Sequence, residues 1–490
     1  MTDELTPETP DKDEQPIKQR KNGLYPGVSE ELAANMKSGW ADTELRDLAP
    51  IEQAPNAARR RAALSRRFPG ERLVIPAGNL KTRSNDTEYD FRASTEYVYL
   101  TGDQTEDSVL VLEPRENGEG HDATVHRLPR SNRENGEFWL DGMGELWVGR
   151  RNSLTEAEAL LGVPCADVRE LADTLREATG PVRVVRGHDA GMEAALTDKV
   201  TAERDEELRV YLSEARLVKD DFEIGELQKA VDSTVRGFED VVKVLDKAEA
   251  TSERYIEGTF FLRARVEGND VGYGSICAAG PHATTLHWVR NNGRVRSGDL
   301  LLLDAGVETN TLYTADVTRT LPVNGTYNDL QRKIYDAVYE AQEAGIAAVK
   351  PGAAFRDFHD AAQRVLAEKL VEWGLVEGPA DRVLELGLQR RWTLHGTGHM
   401  LGLDVHDCAA ARTETYVNGT LEPGMVLTVE PGLYFQADDL SVPEEYRGIG
   451  VRIEDDILVT EDGNRNLSAA LPRRSDEVEA WMAGLTGHRA

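Results

Sequence analysis

Residues 299–306 read Asp-Leu-Leu-Leu-Leu-Asp-Ala-Gly, four consecutive leucines between two carboxylates. A short, unbroken apolar run of this kind reads as a strand buried on both faces. Whatever this chain folds into must therefore carry Asp304 at the end of a buried strand. A second stretch, 314–320, is rich in β-formers and contains Asp316. A hairpin centred on Asn310 would set positions 304 and 316 directly opposite each other, six residues either side of its centre. Directly opposed residues hold their Cβ atoms roughly 4.5–5.5 Å apart. Two ionised carboxylates that close repel strongly unless one is protonated or a cation lies between them. Either aspartate alone is ordinary, a turn residue or a surface acid; the pair is what constrains the fold.

Three further segments bear on the same chemistry. Residues 451–459 alternate like one strand, with Arg452 and Glu454 on one face. Such a pair is usually solvated, but Gly448 and Gly450 before it and the apolar run after it point to a buried strand. Buried charge needs a partner or a metal. Glu430 ends the apolar run 427–429 just before Pro431-Gly432, a position that by itself is commonly just exposed. His395-Gly-Thr-Gly-His399 and His406 complete the set; five of the ten histidines lie at 282, 287, 395, 399 and 406. Two glycines between His395 and His399 argue against a helix and for a bend that lets an imidazole approach closely. Two Asp, two Glu and one His at strand ends or bends favour hard or borderline ions, Mn²⁺ first, with Co²⁺ or Zn²⁺ as alternatives. Five ligands, four of them able to bridge, suit two ions ~3.5–4 Å apart sharing a hydroxide. Cysteine ligation is disfavoured, since Cys165, Cys277 and Cys408 are scattered.

The chain has 490 residues, with 57 Lys+Arg against 87 Asp+Glu, a formal charge of −30. That length exceeds one ordinary core and points to two folded units. The charge excludes nucleic acid as the main partner and disfavours anionic membranes. Three cysteines exclude a disulfide scaffold and fit a reducing compartment. No apolar run reaches the ~18 residues a membrane helix needs, and no apolar leader follows Met1, so a cytoplasmic protein is expected. Residues 1–22 read as a disordered tail, within a disordered or extended arm 1–45 that includes Met36 and Trp40. An N-terminal α/β domain is expected over 46–217. It has helices at 55–67, 155–161 and 166–177, strands at 72–76, 97–102, 108–112 and 182–185, and an irregular excursion at 130–152. Ile224, Leu227, Val231, Val235, Phe238, Val242 and Leu245 form one face of a long helix. The charged stretch 218–221 before it is taken as the domain boundary, opening a second α/β domain at 218–485. Its other helices are expected at 252–266, 327–349 and 355–373, the middle one stopped by Pro351-Gly352.

Six segments occur in order over about 170 residues: 286–288, 303–306, 316–325, 395–407, 422–434 and 448–457. Together they resemble the "pita-bread" metallopeptidases, the group of methionine aminopeptidase, prolidase, aminopeptidase P and creatinase. Residues 85–102 and 441–448 make the Xaa-Pro aminopeptidase (aminopeptidase P) family the nearest resemblance, over roughly 50–485. The resemblance implies an α/β (α+β) fold, a creatinase-like N-terminal domain followed by a pita-bread catalytic domain. It implies that Asp304, Asp316, His399, Glu430 and Glu454 hold two divalent ions, with Asp316 and Glu454 bridging. Asp304 would complete one site, and His399 with Glu430 the other. His287, His395 and His406 would surround a peptide beginning Xaa-Pro, and Arg452 would support the site beside Glu454. It also implies attack by a metal-bridging hydroxide, His395 as oxyanion partner, Glu430 as proton carrier, and a homodimer or homotetramer. A prolidase acting on Xaa-Pro dipeptides would use the same ligands; a non-catalytic binding protein on this fold would be expected to lose some. One departure is the twelve-residue interval from Asp304 to Asp316, one longer than the family leads one to expect.

Overall fold

The computed structural model describes residues 29–85, 87–116 and 118–487. The tail expected to be disordered, 1–22, lies outside them. Contacts divide the chain into two compact units, 1–201 and 202–490. The sequence puts its boundary later, at 217/218, and the helix Ala202–Glu214 belongs by its contacts to the second unit.

The first unit is built on a five-stranded sheet. Arg72–Pro76 pairs antiparallel with Val109–Pro114 and parallel with Val182–Val184. His121–Arg127 and Cys165–Asp167 extend the sheet beyond Val109–Pro114. Val74, Val109, Val111, Leu171, Leu175, Val182, Val184 and Leu196 form one core cluster. The stretch 97–102, read from sequence as a strand, is a helix, Thr95–Thr101. The Ser94 side chain accepts from Tyr97 N at its start, and Gly102 ends it at φ +73. End signals decide here: a Ser cap and a left-handed Gly define a short helix whatever the β-forming content between them. The excursion 130–152 holds two one-turn helices, Glu137–Leu140 and Glu145–Val148.

The second unit opens with Asp221–Val242, a helix started by a reciprocal Asp220–Glu223 capping box. Its buried side, including Leu227, Val231, Phe238 and Val242, follows the predicted face. The helix stops at Val242 and resumes as Leu245–Glu249. Glu253–Glu267, Asp329–Ala348 and Asp357–Glu372 fall where the sequence sets helices. Leu300–Ala305 lies between Ile276–Ala279 and Val317–Pro322, antiparallel to both. A second sheet pairs Val426–Val429 with Asp455–Val459, and a two-stranded ribbon pairs Gly432–Phe435 with Ile449–Arg452.

Two expectations about these strands need correction. First, Asp304 pairs with Thr318, not Asp316, and Glu308 bridges Thr314, so the hairpin is centred on Thr311 rather than Asn310. The chain reverses through Thr309–Tyr313, with Leu312 at φ +70. Gly306 sits so close to the other strand that a Cβ there would meet Ala315 O at 1.6 Å. The shift is harmless to the site, because a partner two positions off stays on the same face of the sheet. Second, 451–459 is not one strand. It breaks at Ile453–Glu454, and the halves pair with different partners. Glu454 at the break forms an isolated bridge with Thr318.

Candidate metal centre

Each of the five candidate ligands stands at an interruption of regular structure. Asp304 is the penultimate residue of the leucine strand, and Asp316 directly precedes Val317–Pro322. Glu430 lies between Val426–Val429 and Gly432–Phe435, and Glu454 between Ile449–Arg452 and Asp455–Val459. His399 follows Gly398, whose missing side chain lets the bend press against the neighbouring strand; a Cβ there would meet Thr428 O at 2.0 Å. That contact is fixed by hydrogen bonds from Thr428 N to His399 O (2.9 Å) and from Glu430 N to Thr397 O (2.8 Å). Strand ends suit ligands, because their side chains leave the pleat and can turn toward a common point.

All five, with His287, His395, His406 and Arg452, line one cavity of about 490 Å³. Ligand atoms of Asp316, His399 and Glu454 lie within 4.8 Å of one another. His399 Nδ1 donates to Met400 O (3.1 Å), which turns Nε2 toward Asp316 Oδ2 (3.4 Å) and Glu430 Oε1 (3.6 Å). Tyr273 Oη reaches both Asp304 Oδ1 (2.7 Å) and Asp316 Oδ1 (2.5 Å). Arg452 donates to Asp304 and to Tyr434 Oη (3.0 Å). Thr318 donates to Glu454 Oε2 (2.7 Å), while Glu454 Oε1 is buried with no hydrogen-bond partner among the described residues. His406 stands edge-on to His399, ring centroids 4.3 Å apart. His287 is exposed on the cavity wall.

The electrostatics ask for positive charge. Burial, aided by the Asp304 charge, raises Asp316. Burial and the Asp316 and Asp304 charges lift Glu430 to about 7, against the pull of His399 and Arg452. Glu454 goes well above its usual range through burial and three neighbouring carboxylates, and Asp456 rises mainly through burial. Burial works against the charged form of His399, but the Asp316 hydrogen bond and the Glu430 and Asp316 charges carry it to about 9. Burial and Arg452 push His395 down to about 4. Four carboxylates thus share one cavity with one arginine and four imidazoles, of which only His399 is pushed toward its charged form, and one buried carboxylate oxygen is left unpaired. An oxygen-rich, mixed carboxylate–imidazole set of this kind fits divalent cations, which would remove the mutual repulsion and satisfy the orphaned oxygen.

Comparisons with known proteins give the family. The sequence profile "Metallopeptidase family M24" matches residues 225–461, and "Aminopeptidase P, N-terminal domain" matches 57–185. Xaa-Pro aminopeptidase 1 of Streptomyces coelicolor is 83% identical, over 99% of this chain and 100% of its own. The Xaa-Pro aminopeptidase of Escherichia coli is 34% identical, over 86% of this chain and 96% of its own. This chain belongs to the Xaa-Pro aminopeptidases of metallopeptidase family M24. Solved relatives give the same fold. Aminopeptidase PepP of Pseudomonas aeruginosa has a TM-score of 0.78 at 30% identity, covering 90% of this chain and 100% of that one. E. coli aminopeptidase P with the inhibitor Pro-Leu has a TM-score of 0.78 at 32% identity, with the same coverage.

As an M24 metallopeptidase, the chain is a hydrolase whose family uses divalent metal ions. Tyr273, in the cavity wall, and Tyr434, bonded to two of its lining residues, are not marked out by the sequence. Tyr273 clasps the two aspartates, and its only sequence mark is the Gly272-Tyr-Gly274 context. Tyr434 bonds His395 Nε2 (2.8 Å) and Arg452. It stands in a strand buried on both faces, Gly432–Phe435, so alternation does not single it out. Asp456, whose Oδ2 accepts from Asp316 N (3.1 Å), carries no sequence mark beyond its place in a strand.

Proposed function

We propose that this protein removes the N-terminal residue from peptides with proline in second position, using a pair of divalent ions held by Asp304, Asp316, His399, Glu430 and Glu454. The observation that carries the reading is the convergence of those five side chains on one cavity with a buried, unpaired carboxylate oxygen. The 83% identical relative named Xaa-Pro aminopeptidase 1 supports the substrate class. Mn²⁺ is the proposed metal, on the oxygen-rich donor set; an E. coli aminopeptidase P structure is described as zinc-substituted. Bound ions would supply Lewis acidity, polarising the scissile carbonyl and making the attacking water acidic enough to ionise near neutral pH.

The chain's own groups do the rest. Asp316 and Glu454, whose ligand atoms lie with that of His399 within 4.8 Å of one another, would be the carboxylates shared by both ions. Tyr273 keeps Asp304 and Asp316 together by donating to a carboxylate oxygen, and Arg452 balances Asp304. Glu430 takes the proton released by the attacking water and delivers it to the proline nitrogen as the C–N bond breaks. That nitrogen has no N–H in the peptide, so the site needs no acceptor for one there. His287 and His406 bound the space left for the ring. His395 is kept neutral, and Nδ1 donates to Gly396 O (2.6 Å), so Nε2 accepts from Tyr434 Oη. To stabilise the oxyanion it must carry the proton on Nε2, and the carbonyl oxygen must compete with Tyr434 for that ring.

The deciding experiment measures release of the first residue from an Xaa-Pro-Xaa tripeptide, an Xaa-Pro dipeptide and an Xaa-Ala-Xaa control, with and without Mn²⁺. Metal-dependent turnover of the tripeptide is expected. Turnover of the dipeptide alone would make the protein a prolidase, and no turnover with metal bound would end the proposal. Cys165, Cys277 and Cys408 form no disulfide, which supports a reducing, cytoplasmic setting. Among the described residues no helix is long and apolar enough to cross a membrane. A homodimer or homotetramer is part of the proposal, to be read by light scattering.

A further inference from the structure

We infer that Glu253 is a positioning residue, whose buried carboxylate ties down the segment 279–293 and so sets the cavity wall formed by Leu286, His287 and Val289. The inference rests on the reading of that cavity as the peptide site. Glu253 opens the helix Glu253–Glu267 and is fully buried. Its Oε1 accepts from Ala279 N (2.9 Å) and His282 Nδ1 (2.8 Å). Its Oε2 accepts from Trp288 Nε1 (2.9 Å) and Gly293 N (2.6 Å), and its own N–H donates to Gly293 O (3.0 Å). Four donors spread along one segment thus meet one side chain. Only an ionised carboxylate accepts on both oxygens without presenting a proton. Glutamine would turn an NH₂ toward two of the donors, and alanine would orphan buried backbone amides.

The anchored segment has little else to fix its tip. Between Thr285 and Arg290 its backbone bonds are local, Thr285 N to His282 O and Val289 N to His287 O; beyond the tip, Asn291 accepts from Cys277 N (3.0 Å) and donates to Ser275 O (2.9 Å). Leu286 and Trp288 pack toward Ile276, Ala278, Ala283, Leu302 and Tyr434, while His287 and Val289 are exposed. Trp288 is the inward anchor at the tip, stacked on His282 with ring centroids 3.8 Å apart and pinned at Nε1 by Glu253. Gly293, at the far end, has no room for a side chain; a Cβ there would meet the His282 ring at 2.3 Å. None of the five candidate metal ligands lies on this segment. Glu253 therefore acts on how the peptide is held, not on the ions.

The test compares Mn²⁺-loaded wild type, E253Q and W288F. It reads kcat and KM on the Xaa-Pro-Xaa tripeptide, bound manganese per chain, and amide hydrogen exchange over 285–290. For E253Q, KM should rise about tenfold or more, with kcat within about threefold. Manganese content should be unchanged, and exchange should accelerate about tenfold at the tip. W288F keeps the ring and loses the donor, so it folds even if E253Q does not; its KM should rise about two- to fivefold. A merely structural Glu253 would lower the melting temperature and the active fraction while KM and tip exchange stay at wild-type values, and that result overturns the inference. Loss of manganese in E253Q overturns it as well. A wild type that leaves the tripeptide intact breaks the functional reading alone, and the exchange data then still decide the role of Glu253.

Discussion

In the N-terminal unit, acids that leave water are met by arginines. Arg183 lies 2.9 Å from Glu71, Arg127 3.4 Å from Asp103 and Arg130 3.1 Å from Glu145, and Arg150 contacts Glu156. Glu156 shows the outcome: burial opposes its charge, but Arg150 and the backbone amides of Leu45 and Ser153 hold it down at about 2. In the cavity of the second unit the acids face one another, and Asp316, Glu430 and Glu454 are all pushed up. One region buries charge by neutralising it within the chain. The other sets four carboxylates against Arg452 and His399 and leaves part of its charge uncompensated, which is wasteful in a structural core and useful where cations are to be held. A buried carboxylate whose partner is another carboxylate is thus a better mark of function than burial itself.

The contrast can be broken by experiment. The largest effect should come from the cluster's centre: Asp316→Ala or Glu454→Ala should lower kcat/KM by about 10³-fold or more, with loss of bound manganese. Normal turnover with depleted metal would refute the bridging roles. His395→Ala should cost about 10²-fold in kcat/KM at unchanged metal content; a steady kcat/KM removes it from the oxyanion site.

Next is the pH dependence of the chelated protein. Glu430 ionises near 4.5 ordinarily but near 7 when folded. The unfolded chain then loses its proton first, and stability falls as pH rises from about 4.5 to 7. His399, lifted from 6.5 to about 9, adds stability below 6.5 that is lost as pH climbs through 9. Both lower the melting temperature with rising pH, whereas saturating Mn²⁺ should flatten or reverse the slope; calorimetry from pH 5 to 8 with and without EDTA checks this. The smallest effect belongs to the N-terminal unit. Glu156, lowered from 4.5 to about 2, stabilises above pH 4.5 and loses that contribution as pH falls through 2. Glu156→Gln should therefore cost about 1–2 kcal/mol at neutral pH, read as a lower urea midpoint, with no change in kcat/KM.

Much of the candidate site was legible because its candidate ligands sit at ends of apolar runs, where sequence punctuation is strong. Four leucines before Asp304 and the Gly-flanked histidines placed chemistry on strands and bends without any coordinates. What escaped depends on tertiary choice. Leu312 in a left-handed conformation moved the hairpin centre by one residue, and no local rule favours a leucine there. The break at Ile453–Glu454 is invisible to period-two counting, because both halves alternate acceptably while pairing with different strands. Residues 97–102 carry β-forming side chains but sit between a Ser cap and a helix-ending glycine, and the caps won. Tyr273 lies outside every regular element, so no periodicity could have nominated it.

Gly306 and Gly398 deserve to be weighed with the acids. At both, the neighbouring backbone stands where any other residue would put its first side-chain carbon, 1.6 Å from Ala315 O and 2.0 Å from Thr428 O. An alanine at either position would have to pry apart the segments that deliver Asp304, Asp316, His399 and Glu430. A homologue could keep every ligand and still be silent after gaining one methyl group, so an inventory of reactive side chains alone does not tell a living hydrolase from a dead copy.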